Sequence, residues 1–322
     1  MIQRRALTTA LGSLFGAALI GLGAASVAQA QTQEVYIPLV SKGFQHQFWQ
    51  AVKLGAEQAG KDLKVKVSFE GPESESMVDK QIDMLSAALA KKPQAIGFAA
   101  LDSQAAIPLL KKAQAAKIPV VAFDSGVDSD IPVTTTSTDN KAAAALAADK
   151  MAELIGKSGE VALVVHDQTS RTGMDRRDGF VNRIKSTYPN IKIVSVQYGG
   201  GDQLKSTEIT KSILQASPNL KGIFGANEGS AIGVVNGVKE MKRNGKVIII
   251  GYDSGKQQKN AIMDGSMAGA ITQNPVGMGY KTVEMAVKAT KGEKLPKVVD
   301  TGFYWYDKTN IADPKIAAVL YD

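Results

Sequence analysis

The chain has 322 residues, 44% of them hydrophobic and 21% charged, which suits two domains of ordinary globular composition. It contains no cysteine, so disulfides, thiolate metal sites and cysteine nucleophiles are all excluded. The formal charge of +7 comes from lysines dispersed among acids, with no basic run interleaved with aromatics, which argues against a nucleic-acid partner.

The chain opens with an export pattern. Arg4 and Arg5 precede an apolar stretch over about residues 6–27, and Ala28-Gln29-Ala30 reads as a small-x-small cleavage signal. A signal peptide over 1–30, cleaved after Ala30, is expected; the Gly, Ala, Ser and Thr content of the stretch favours cleavage over an uncleaved anchor. Removing the two arginines takes the formal charge from +7 to +5. The sequence leaves open whether export is of the general or twin-arginine kind. No second apolar run reaches spanning length, so a soluble mature protein is expected.

Beyond the signal, strand-like and helix-like segments alternate without a long break, the pattern of parallel sheets with crossover helices. In the first half strands are predicted over 35–40, 65–69, 95–99 and 118–123, with helices over 48–61, 74–90 and 104–115. In the second half strands are predicted over 160–165, 191–197, 222–225 and 247–252, with helices over 141–155, 173–186, 203–216 and 229–242. A short strand over 268–275, a helix over 279–290 and an aromatic late strand over 302–306 complete the chain. The segment beginning Lys92-Pro93 and the one beginning Ser217-Pro218 echo each other, each running helix end, Pro, strand, polar turn, helix. This is duplication of a whole domain.

Two apolar strands end alike, in Phe123-Asp124-Ser125-Gly126 and Tyr252-Asp253-Ser254-Gly255. The residue just past such a strand lies at the carboxyl edge of its sheet, where open α/β folds hold ligands. If the two sheets face each other, both carboxylates enter one cleft. Helix N-capping is the plainer role open to each Asp.

The inventory does not favour an enzyme. His46 and His166 are far apart in sequence and lack metal-ligand spacing, and there is no Walker loop and no Gly-x-Gly-x-x-Gly after a strand. No metal and no cofactor are expected. Gly199-Gly200-Gly201-Asp202 reads as a flexible turn capped by Asp202 more readily than as a phosphate cradle. Phe48 and Trp49 open the first helix just after the first strand, where they either pack into the core or stack on the C–H faces of a sugar.

Together these motifs resemble the periplasmic monosaccharide-binding proteins of ABC importers, of the ribose-binding type. The resemblance rests on Ser41, the Phe48-Trp49 pair, Phe123-Asp124, Arg176-x-x-Gly179-Phe180, Phe224-x-x-Asn227, Gly251-Tyr252-Asp253 and Ile271-Thr272-Gln273. It implies two Rossmann-like lobes joined by a three-segment hinge, the type I periplasmic binding protein fold. The lobes would comprise 31–138 plus 274–300 and 139–273 plus 301–322, with crossings near 138–139, 273–274 and 300–302.

The resemblance implies a sugar stacked on Phe48 and Trp49, with hydroxyls bonded by Ser41, His46, Asp124, Arg176, Asn227, Asp253 and Gln273. It also implies a periplasmic monomer that delivers a monosaccharide or sugar alcohol to an inner-membrane permease. The same fold also serves as a sensor feeding a chemoreceptor or histidine kinase, and as the effector domain of LacI-type repressors. The export signal and the lack of an N-terminal helix-turn-helix oppose the repressor reading.

Three departures bear on the ligand. Ser125 stands where ribose-type proteins carry Arg, and His46 where they carry Asn. Gly201 stands where they carry the second lobe's stacking aromatic, leaving that wall open unless Tyr198 supplies it. Lys42 is an unusual neighbour for Ser41. The expectation is a hexose, a deoxy or branched sugar, or a sugar alcohol rather than ribose.

Overall fold

The computed structural model describes residues 34–322; the expected signal peptide and its cleavage after Ala30 lie outside the described residues. The first half runs β1 (Tyr36–Val40), α1 (Gln47–Leu63), β2 (Lys66–Glu70), α2 (Val78–Ala90), β3 (Ile96–Phe98), α3 (Ile107–Ala115), β4 (Val120–Phe123) and β5 (Thr134–Ser137). The second runs α4 (Asn140–Leu154), β6 (Gly159–Val165), α5 (Arg171–Thr187), β7 (Ile191–Tyr198), α6 (Gln203–Ala216), β8 (Leu220–Gly225), α7 (Glu228–Glu240), β9 (Ile248–Tyr252), α8 (Lys256–Met263) and β10 (Gly269–Gln273). The tail adds α9 (Pro275–Thr290), β11 (Val298–Asp300), β12 (Phe303–Tyr306) and α10 (Pro314–Ala317).

The strands form two six-stranded sheets, ordered β11-β5-β4-β3-β1-β2 and β12-β10-β9-β8-β6-β7. Each strand of the first sheet has its counterpart at the same place in the second, so the duplication read in the sequence extends to topology. All pairings are parallel except β10 with β12. Apolar side chains from both faces of each sheet enter separate cores: α1 and α9 cover one face of the first sheet and α2 and α3 the other. In the second sheet α4 and α5 cover one face, and α6, α7 and α8 the other. That two-sided cover explains why the strands read as continuous apolar runs.

The chain crosses between the sheets between β5 and α4, between β10 and α9, and between β11 and β12. Thr301 N–H donates to Ser137 O at 3.0 Å and Thr138 Oγ1 to Gly302 O at 3.3 Å, tying two crossings side by side. Four elements are absent from the sequence-based reading: β5, β11, α8 and α10. β5 is Thr-Thr-Thr-Ser and carries no apolar run, yet Thr134 and Thr136 are buried. Thr136 Oγ1 finds a partner in Thr282 Oγ1 at 2.6 Å, whereas the buried Thr134 Oγ1 has none among the described residues. The aromatic strand β12 is packed: Tyr306 is buried and its hydroxyl donates to Asp253 O at 2.8 Å. Among the described residues no helix is long and apolar enough to cross a membrane.

Candidate functional site

The carboxyl edges of both sheets open onto one narrow cavity of about 20 Å³. Lys42, His46, Phe48, Trp49, Glu75 and Asp124 line it from the first lobe; His166, Thr172, Arg176, Asn227, Asp253 and Gln273 line it from the second.

The two carboxylates occupy equivalent places. Asp124 follows β4 and Asp253 follows β9, both with positive φ, at 54° and 83°. Each backbone N–H donates to the neighbouring strand, Asp124 to Thr136 O at 2.9 Å and Asp253 to Ile271 O at 2.6 Å. The left-handed turn swings each side chain off the strand end toward the other lobe. Asp is among the few residues that accept this conformation without a large penalty, and such strained positions gather at functional sites. Neither Asp is itself the N-cap residue of a helix, although Asp253 Oδ2 accepts the first amide of α7; the N-cap residues whose side chains cap are Asp139, Ser170, Asp202, Asn227, Asn274 and Asp313.

Their surroundings differ. Asp253 Oδ1 accepts from Gln273 Nε2 at 2.7 Å and Oδ2 from Glu228 N–H at 3.0 Å, which orients the carboxylate before any ligand arrives. The Asp124 carboxylate has no protein hydrogen bond among the described residues, and burial pushes it up to about 6. Burial also raises Asp253. Glu75 is held below its ordinary value: burial pushes it up, but the Lys42 ammonium leads the neighbours that outweigh it.

Arg176 on α5 is 3% exposed, and its guanidinium lies 3.8 Å over the Tyr252 ring. Nε donates to Asn140 Oδ1 at 2.8 Å and Nη1 to Ala226 O at 3.0 Å, leaving the remaining donors of the fork for the cavity. Lys42 Nζ crosses the cleft to Thr172 Oγ1 at 3.1 Å. Burial keeps the His166 imidazole well below its ordinary value and therefore neutral at pH 7.

Phe48 and Trp49 are both core and wall. They are 4% and 1% exposed, pack into the first lobe's core and also line the cavity. Their rings meet edge to face at 4.9 Å and 84°, making an apolar corner. Trp49 Nε1 donates to Glu75 Oε1 at 2.7 Å, and Tyr321 backs Phe48 with centroids 6.2 Å apart.

Of the nine residues singled out in the sequence, the structure brings His46, Phe48, Trp49, Asp124, Arg176, Asn227, Asp253 and Gln273 to this cavity. Ser41 is not among them: it is fully buried and its hydroxyl serves its own loop, donating to Gly43 O and Glu70 O at 3.2 Å each. Lys42, the next residue, faces the cavity instead. Tyr198 does not supply the missing wall, because its hydroxyl accepts from Arg177 Nη1 at 3.2 Å and its ring packs on the second lobe's core. The sequence reading also missed Glu75, His166 and Thr172. His166 directly follows β6, so the rule that found Asp124 and Asp253 also reaches it; it had been weighed only as a metal ligand.

Gly201 sits at the cavity edge with φ 69°, and a Cβ there would stand 3.0 Å from Glu75 Oε2 and 3.1 Å from Asn227 Nδ2. An aromatic at this position does not rebuild a stacking wall; it must displace both groups and adopt a backbone that costs roughly 1–2 kcal/mol. Gly201→Phe is therefore expected to lower both the melting temperature and affinity for any cavity ligand, as differential scanning fluorimetry and titration calorimetry would show.

Comparison with known proteins agrees with this fold. Residues 37–294 match the family described as periplasmic binding protein domain. The D-allose-binding periplasmic protein of Escherichia coli K12 is 28% identical over 290 residues, covering 87% of this chain and 92% of its own. An ABC transporter solute binding protein from Agrobacterium vitis, solved with bound D-fucose, is 34% identical with a TM-score of 0.86. The match covers 89% of this chain and 100% of that one. A carbohydrate transporter solute binding protein from Agrobacterium radiobacter, in complex with D-arabinose, is also 34% identical at TM-score 0.86, covering 90% and 99%.

Proposed function

This chain belongs to the periplasmic binding protein family, and we propose on that footing that it binds a monosaccharide or sugar alcohol between its lobes and delivers it to an inner-membrane permease. The observation that carries the proposal is the pair Asp124 and Asp253, two acceptors from equivalent strand ends meeting at one cavity beside the Phe48–Trp49 corner. Carboxylates accept hydrogen bonds from hydroxyls, Arg176 and Lys42 donate to ring and hydroxyl oxygens, and the aromatic corner meets C–H faces. A ligand touching both lobes favours their apposed arrangement by its differential contacts, which is hinge closure. In this reading the lobes are 31–138 with 274–300 and 139–273 with 301–322. The mature protein works in the periplasm as a monomer and releases its sugar chemically unchanged.

The magnitudes are adequate. A dissociation constant near 1 μM needs about −8 kcal/mol, or roughly −0.7 kcal/mol for each heavy atom of a monosaccharide, within the limit for very small ligands. Titration calorimetry against pentoses, hexoses, deoxysugars and polyols tests the reading. At least one neutral sugar should bind in the micromolar range. Asp253→Ala should weaken it by tens-fold or more, since a hydrogen bond to a buried charged group is worth about 1.5–3 kcal/mol. If millimolar concentrations of every sugar in the panel give no heat and no thermal shift, the proposal fails.

A further inference from the structure

The N-terminal amides of α1 meet a carboxylate of the other lobe that does not line the cavity. Glu228 is 4% exposed and lies in the first turn of α7, just after the N-cap Asn227. Its side chain reaches across to the first lobe, where Oε1 accepts from Gln47 N–H and Oε2 from Phe48 N–H, each at 3.1 Å. These are the first two amides of α1, whose own N-cap residue, His46, makes no side-chain cap. Orphan amides and the positive end of a 17-residue helix are thus satisfied by an acid from the other lobe.

The converse contact lies beside it. The N-cap of α8 is Gly255, which has no side chain to cap with, and Gln47 Oε1 accepts from Lys256 N–H at 2.7 Å. A Cβ on Gly255 would stand 2.9 Å from both Gln47 Oε1 and Glu228 Oε1, so glycine is what lets the two acceptors approach. No cation pairs with Glu228 among the described residues; its charge is met by backbone N–H groups.

We propose that Glu228 and Gln47 form a reciprocal clasp in which each lobe caps a helix of the other. Glu228 is then a positioning residue that fixes Phe48 and Asp253 together. The link to Asp253 is direct, because Glu228 N–H donates to Asp253 Oδ2 at 3.0 Å while its side chain holds the amide of Phe48. One residue therefore joins the second lobe's carboxylate to the first lobe's aromatic wall, and all of its cross-lobe bonds are made only when the lobes meet. The proposed sugar-binding function is the setting for the clasp, whose effect is to slow release of the bound ligand.

Two variants test it. Gln47→Pro removes the amide that donates to Glu228 and the side chain that caps α8, while proline suits the first helical position of α1. The preceding His46 is extended, at φ −109° and ψ 145°, as a residue before proline requires. Glu228→Gln keeps the size but removes the charge. Since the chain has no cysteine, the exposed Glu73, next to Ser74 on one lip of the cleft, and Leu204 on the other can be changed to Cys (Glu73→Cys, Leu204→Cys) to accept a pair of fluorescent dyes for distance measurement. Stopped-flow binding of D-allose, D-fucose and D-arabinose supplies the rates.

Both variants are expected to raise the dissociation rate about tenfold, as loss of a hydrogen bond to a charged group would. Association rate and ligand-free melting temperature should stay unchanged, and the sugar-free protein should shift toward longer lip-to-lip distances. If sugar release and lip distances both match the wild type, the clasp is overturned while sugar binding stands. If no sugar of the calorimetry panel binds the wild type but lip distances still lengthen in both variants, the clasp stands and the sugar assignment falls.

Discussion

Arg176→Ala should abolish measurable sugar binding and lower stability at pH 7.5 by about 3–5 kcal/mol, the usual cost of removing one partner from a buried charge cluster. The guanidinium is held from three directions, by the Asn140 amide, the Ala226 carbonyl and the Tyr252 ring. Its charge is the main opponent of burial at Asp253, and together with Lys42 it holds down the carboxyl group of Asp124. Without it, burial acts on both acids with less opposition and their proton affinity rises further. Loss of two charge-assisted contacts to a ligand, each about 1.5–3 kcal/mol, weakens binding at least about a hundredfold.

The pH dependence separates this from simple loss of packing. A carboxyl whose value is raised in the folded state destabilises the fold fully above that value, progressively less between it and the unfolded value, and not at all below the unfolded value. The deficit of Arg176→Ala should therefore be largest near pH 7.5 and shrink toward pH 5, as the two acids take up protons. Urea unfolding at both pH values measures it; an equal deficit at both would mean that the arginine acts only by filling space. Arg176→Lys restores the charge but not the planar fork or the stacking on Tyr252, so it should recover part of the stability and little of the affinity.

The sequence disclosed the parts of this site that depend on where strands stop. Asp124 and Asp253 stand out because buried parallel strands are apolar to their last residue and then break at a polar turn. Ser41 shows the limit of that rule. It too follows its strand directly, but the loop after β1 closes on itself through the Ser41 hydroxyl and turns Lys42 to the cavity. A shift of one residue exchanges the face a side chain meets, and nothing local in the sequence sets it. Glu75 was hidden for another reason. It sits in the loop between β2 and α2, and its place is fixed by distant partners, with Gln45 Oε1 accepting its N–H at 3.0 Å and Trp49 bonding its carboxylate.

Core and cavity were weighed as alternatives for Phe48 and Trp49, yet the pair serves both, because the first turn of α1 lies where the core meets the cleft. β5 and α8 escaped notice because they are short and polar, and their pairing or packing comes from neighbours remote in sequence.

Asp124→Asn should do two things at once: weaken sugar binding by tenfold to about a hundredfold and make the protein more stable at pH 7.5. The loss follows from exchanging a charged acceptor for a neutral one. The gain follows from the isolation of the carboxylate, which burial pushes from 3.8 up to about 6 in the folded protein. Between those values the folded state binds a proton that the unfolded chain has lost, so folding becomes less favourable as pH rises from about 4 to about 6. Above pH 6 the full cost stands, about 3 kcal/mol at 1.36 kcal/mol for each unit. Asparagine carries no charge to bury and accepts the left-handed backbone at this position, where φ is 54°, so the substitution adds no strain of its own. The variant should therefore exceed the wild type in unfolding free energy at pH 7.5 and match it at pH 4. A variant less stable than the wild type at pH 7.5 would mean that the Asp124 carboxylate is held by partners and not kept free for a ligand hydroxyl.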